Sequence, residues 1–166
     1  TNDIITSGFF NAVNARIGLM GMDCRNRIPG IKDNHAGNYV TALMLDSTRF
    51  DKPSNIRKML STSMPYETTG RPLPGCCSVV CGGERCNFAM VTNWASFAGN
   101  MVQFDGCEMN VHLPIQNPAS AVFDLMIPFS STPGKVGVII WTISSSEENL
   151  RANLPLGESL SKELFP

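Results

Sequence analysis

The stretch NMVQFDGCEMNVHL, residues 100–113, places Asp105-Gly106 between two runs in which apolar residues recur at every second position. An Asp-Gly pair between alternating runs is a strong short-range hairpin signal and predicts a two-residue type I′ turn. Folding about that turn sets Phe104 against Cys107, Val102 against Met109 and Asn100 against Val111 on one face. Gln103 then meets Glu108, and Met101 meets Asn110, on the other. A register that separates apolar from polar side chains this well predicts an antiparallel, β-rich class.

Working outward, Cys77–Cys81 and Cys86–Ala95 flank Gly82-Gly83-Glu84-Arg85, a second hairpin in which Val79 faces Phe88 and Cys77 faces Met90. Ala121, Phe123, Leu125, Ile127 and Phe129 alternate with Val122, Asp124, Met126 and Pro128, and the turn Ser131-Thr132-Pro133-Gly134 leads into a strand from Lys135 to Ile143. Pro128 is expected at an edge, a bulge or a strand end, because it cannot donate to a ladder. Upstream, Val13, Ala15, Ile17 and Leu19 alternate with Asn14, Arg16 and Gly18, which predicts a strand from Phe9 to Leu19. Tyr39 to Leu45 is apolar on both faces and reads as a central strand.

Residues 22–38 and 61–75 are rich in Gly, Pro and charged or small polar side chains and read as long loops. Ser54 is a candidate N-cap for one short helix ending near Ser61, with Ile56, Met59 and Leu60 at helical spacing. The residues from 144 to 166 read as a C-terminal extension, frayed or packed on a neighbour, interrupted by Pro155 and Gly157. The predicted architecture is therefore a single all-β domain over residues 1–166, an antiparallel β-sandwich or jelly-roll-like barrel of about eight strands with one short helix.

The charge balance narrows the partners. The chain carries 13 basic and 14 acidic residues, and charged side chains are only 16% of it, with no cluster of Lys or Arg. Such a surface offers little counterion release to nucleic acid and suits contact with protein or glycan. No apolar run approaches the ~20 residues of a spanning helix. Thr1-Asn2-Asp3 shows neither an initiator Met nor a signal pattern, so the chain reads as an excised domain or processed product.

Chemistry-bearing residues are few. Cys76, Cys77, Cys81 and Cys86 match only part of a zinc spacing, and Cys81 opposed to Cys86 across the hairpin leaves buried thiols, a disulfide or a metal as alternatives. Cys81-Gly82-Gly83 resembles the nucleophile turn of chymotrypsin-like viral cysteine proteases, and that resemblance implies His35 as base with Asp46 or Asp51 as its acid. The chain between His35 and Cys81 is short for two barrels, and a glycine pair that simply turns a hairpin competes with the protease reading. His112 lies on the polar side of its strand, while Asp23 and Asp33 share a loop with Arg25, Arg27 and Lys32 as solvated charge. No phosphate loop, G-x-S-x-G or paired-carboxylate spacing occurs. No catalytic, cofactor-binding or metal-ligating residue is assigned.

The closing segment Ile127-Pro128-Phe129-Ser130-Ser131-Thr132-Pro133-Gly134-Lys135-Val136-Gly137-Val138-Ile139-Ile140-Trp141 resembles the end of a capsid β-barrel from small non-enveloped, picorna-like RNA viruses. That resemblance implies a structural, non-enzymatic capsid or protruding domain of a virion, acting in self-assembly and in attachment to a host receptor protein or glycan, with no cofactor. The alternatives are a viral cysteine protease using Cys81 and His35, and a secreted disulfide-bearing binding module.

Overall fold

A computed structural model describes residues 2–37, 40–61, 87–95, 105–107, 123–132 and 134–157. Their organisation is not all-β. The elements are helix α1 (Asn2–Ala12), β1 (Ile17–Asp23), β2 (Val40–Asp46), α2 (Ser47–Phe50), α3 (Pro53–Ser61), β3 (Phe88–Val91), β4 (Asp124–Thr132), β5 (Lys135–Trp141) and α4 (Glu147–Asn153). The five strands form one mixed sheet in the order β2-β1-β3-β4-β5. Its centre, β1-β3-β4, is parallel, and its two outer pairs are antiparallel. The β-sandwich expectation is thus corrected to an α/β architecture, because helices pack where a sandwich would place a second sheet.

The strand expected from Phe9 begins instead as helix. Ile5, Phe9 and Ala12, with Thr6 and Phe10, repeat at spacings of three and four, and all are buried. The helix ends in a Schellman motif: Asn14 adopts φ 49, its N–H reaches Asn11 O at 3.0 Å, and Ala15 N–H reaches Phe10 O at 2.9 Å. Asn is one of the few side chains that tolerate this left-handed conformation. The chain then reverses directly into β1, whose helix-facing side is Gly18, Met20 and Met22, not the odd positions that alternation suggested.

β2 was expected at the centre and lies at an edge, paired to β1 from Ile17↔Asp46 to Asp23↔Val40. β3 is hydrogen-bonded on both sides, with Met90 standing between Leu19 of β1 and Leu125 of β4. Residues 76–86, with Cys76, Cys77, Val79, Cys81 and Cys86, residues 100–104 and 108–113 beside the Asp105-Gly106 turn, with Phe104 and His112, and the loop from 62 to 75 fall outside the described residues, while Cys107, the described flank of that turn, is exposed.

A short helix ending at Ser61 forms, but α3 starts at Pro53, so Ser54 lies inside it and is not its N-cap; β5 follows β4 closely, with Ser131 and Thr132 still part of β4 and Pro133 outside the described residues. β4 is buried continuously from Asp124 to Phe129, the pattern of a strand covered on both faces. Pro128 sits inside it opposite Val138. Its carbonyl accepts from Trp94 N at 2.8 Å, so its missing donor points toward the β3 side, just past the point where β3 ends at Val91. The strand end that Pro128 requires is therefore supplied by its neighbour.

Helix α1 fills the layer over one sheet face, flanked by α3 and α4. Phe9, Phe10, Val13, Phe50, Ile56, Leu150 and Leu154 pack there on Met20, Leu43, Leu45, Ala89, Val91 and Met126. Phe10 and Phe50 have ring centroids 5.2 Å apart. Each such aromatic contributes about 1.5–3 kcal/mol by leaving water. Within the presumed extension, Ser146 caps α4 by accepting from Asn149 N, and Leu150 and Leu154 anchor it in this core.

Candidate functional site

The parallel centre gives the sheet two unlike ends. At the N-terminal ends of β3 and β4, Asp124 is fully buried and accepts from Thr142 Oγ1 at 2.7 Å, Ile143 N at 2.8 Å, Ser144 N at 3.3 Å and the Ser144 hydroxyl. Ser145 Oγ and Asn149 Nδ2 donate to Ala12 O, Ser144 Oγ donates to Val13 O, and Asn87 Nδ2 caps Val13 O and Asn14 O. These bonds satisfy the last carbonyls of α1 and lock β4 to the segment after β5. Both carboxylate oxygens of Asp124 are used, as a structural clasp requires.

The C-terminal ends of parallel strands are where open α/β sheets bind ligands. Here that edge gathers Thr92, Asn93 and Trp94 after β3, Asp23 and Cys24 after β1, and the N-terminus of α1. Trp94 Nε1 donates to Thr92 Oγ1 at 3.1 Å, and all three residues after β3 are half-buried. Asn93 Oδ1 accepts from Ala95 N at 2.8 Å and its amide donates to Asn2 Oδ1 at 2.9 Å. Asp3, buried in the first turn of α1, pairs through Oδ2 with Arg57 Nη2 at 2.6 Å, while its Oδ1 and the Thr6 hydroxyl are buried without partners. Orphaned polar atoms of this kind are rare in native interiors and mark this end, unlike the other, as chemically unfinished.

The loop after β1 closes the same edge. Asp23 accepts from the Arg25 backbone N–H at 3.0 Å, and that bond, helped by the Arg25 guanidinium at 3.1 Å, holds its carboxyl below the usual range. Arg25 also donates to His35 O and Gly37 O, and Arg27 ties the loop to Leu60 O at the end of α3. An open hollow of about 320 Å³ is lined by residues 26–32. His35 is half-buried in this loop, its Nδ1 accepting from Lys32 N at 3.4 Å, a turn contact.

Of the protease constellation, His35, Asp46 and Asp51 fall among the described residues. Asp46 ends β2, six residues beyond Val40 and so roughly 20 Å from the edge that holds His35, at ~3.3 Å per residue. It caps α2, accepting from the Thr48 hydroxyl at 2.6 Å, which with Arg49 lowers its pKa. Asp51 accepts from Asn55 Nδ2 at 2.7 Å. Cys81 lies outside the described residues, and Cys24 and Cys107 are free thiols. Among the described residues no three His, Cys, Asp or Glu side chains gather as metal donors, and no helix is long and apolar enough to cross a membrane.

No family model and no curated protein matches the chain. The fold has a solved counterpart. It is similar to that of vinorine synthase. The superposition has a TM-score of 0.57 at 17% identity and covers 93% of this chain but 39% of vinorine synthase. The chain thus spans about two-fifths of the length of vinorine synthase, and at this identity the likeness speaks for the fold. Together with the mixed sheet, the match to vinorine synthase overturns the capsid resemblance and the structural, non-enzymatic reading drawn from it. The jelly-roll expectation falls with it.

Thr92, Asn93 and Trp94 were missed as site residues. Their segment read as a hairpin strand, and nothing local in Thr-Asn-Trp announces that the strand before it runs parallel to both neighbours.

Proposed function

We propose that this chain is a domain of an acyl-transferring enzyme and that it contributes the edge formed by Thr92–Trp94 and the head of α1 to the reaction site. The observation that carries this reading is the fold match to vinorine synthase, an acyltransferase, across nearly the whole chain. In acyl transfer an acceptor hydroxyl or amine attacks an activated carbonyl, and catalysis needs polar donors held where negative charge develops. The Thr92 hydroxyl, whose oxygen accepts from the Trp94 indole, is such a donor on a rigid strand end, with the Asn93 side chain bracing the turn, and the half-buried indole offers an apolar surface to an acyl chain.

The test is direct. The full chain is incubated with S-acetyl-N-acetylcysteamine and a panel of alcohols and amines, with released thiol read colorimetrically and the acylated acceptor by mass spectrometry. Acceptor-dependent thiol release that falls in Thr92→Ala and Trp94→Ala is expected. Absence of transfer to every acceptor, or equal rates in both variants, overturns the reading.

A further inference from the structure

The turn that carries the candidate site is held from three directions. Thr92 N donates to Met126 O at 3.1 Å and Trp94 N to Pro128 O at 2.8 Å, which fixes the turn to β4 on both sides of Asn93. Asn93 Oδ1 closes the turn on Ala95 N at 2.8 Å. The remaining polar group of the Asn93 side chain, its amide, reaches out of the sheet to Asn2 Oδ1 at 2.9 Å, across 91 positions of sequence. Asn2 is itself well seated: it opens α1, and the next residue, buried Asp3, is clamped by Arg57 of α3. The Asn93 side chain is therefore a strut between the helix layer and the site. Both of its ends are used, so removing the acceptor on α1 leaves a half-buried amide without its partner and loosens the Asn93 side chain between the two β4 anchors.

We propose that Asn2 is a positioning residue of the candidate site: through Asn93 it sets the orientation of the Trp94 indole and of the Thr92 hydroxyl bonded to it. This rests on the acyl-transfer reading of that edge. Asn2 acts through the Asn93 amide, so its substitution acts on the geometry of the turn and leaves the Asn93–Ala95 bond in place.

The experiment uses the full chain with Trp141→Phe, which leaves Trp94 as the sole tryptophan of the two in the sequence. Asn2→Ala is expected to raise acrylamide quenching of Trp94 and to lose its near-ultraviolet dichroism, with far-ultraviolet dichroism and melting temperature close to the parent. Asn2→Asp keeps an acceptor oxygen and is expected to restore both signals. With S-acetyl-N-acetylcysteamine as donor, Asn2→Ala is expected to lower kcat, with recovery in Asn2→Asp. Unchanged Trp94 signals in Asn2→Ala overturn the proposal outright, as does a parent that transfers acyl groups with an equally active Asn2→Ala. If signals respond but the parent transfers nothing, the acyl-transfer reading fails and the role of Asn2 in it falls too.

Discussion

The ring of Phe10 occupies the space that a side chain on Gly18 would need: a Cβ at Gly18 would stand 2.5 Å from Phe10 Cε2 and 2.7 Å from Cδ2. This contact joins the central helix to the central strand pair, and Phe10 is itself wedged against Phe50. Gly18→Ala forces the ring to move in a filled core and should destabilise the domain by about 1–3 kcal/mol. Chemical denaturation measures it, and an unshifted midpoint would place Phe10 elsewhere. Gly137 stands in the same relation to Phe129, whose Cζ lies 2.6 Å from the missing Cβ, across a directly paired position of β4 and β5.

Asp124→Ala leaves part-buried donors of Thr142, Ile143 and Ser144 unpaired and should cost about 1–3 kcal/mol in all. The Thr142 hydroxyl and the Ile143 and Ser144 N–H groups bond the same carboxylate oxygen. Hydrogen exchange at Ile143 and Ser144 should quicken selectively. Protection unchanged at these two amides would count against the network.

Asp23 and Asp46 both have carboxyls lowered from the ordinary 3.8, the first chiefly by the Arg25 N–H and the second chiefly by the Thr48 hydroxyl. A folded-state pKa below the unfolded one contributes stability that is present above about 3.8 and is lost as pH falls through the folded value. Both groups are solvent-exposed, so the effect on stability is small. Carboxyl-carbon titration by NMR should give midpoints below 3.8 at both positions, and a midpoint at or above that value would remove the bond assigned to it.

Gly106 adopts φ 76 with nothing within 4 Å of where its Cβ would be, so substitution there meets backbone strain and no steric clash. Gly106→Val should cost on the order of 1–2 kcal/mol, the penalty of left-handed backbone for an L-residue. Gly106→Asn should recover much of it. Equal stability of all three proteins would mean that the turn has another conformation in solution.

With 13 basic and 14 acidic residues the domain should not bind RNA or DNA. Fluorescence anisotropy at ~150 mM salt, where counterion-driven binding is already weak, should show no saturation in the micromolar range. Tight binding under those conditions would demand a cationic surface that the charge balance does not suggest.

Local chemistry in the sequence by itself determined several pieces of this protein. The α3 helix, punctuated by Pro53, and the turn into β5 at Gly134 follow from residues within a few positions of each other. Asn14 as a helix stop and Ser146 as a helix start were equally local and were overlooked, the first because Val13, Ala15, Ile17 and Leu19 also alternate as a strand would. What only the tertiary structure decided was which strands are neighbours. A short apolar run such as Phe88–Val91 has the same composition in an antiparallel hairpin as between two parallel partners, because ladder hydrogen bonds are made by backbone common to every residue. Its partners, Ile17–Met20 and Asp124–Met126, lie tens of residues away, and their choice depends on α1 covering one sheet face. The candidate site inherits that dependence: Asn2 and Asn93 meet only because the parallel centre brings the head of α1 to the end of β3.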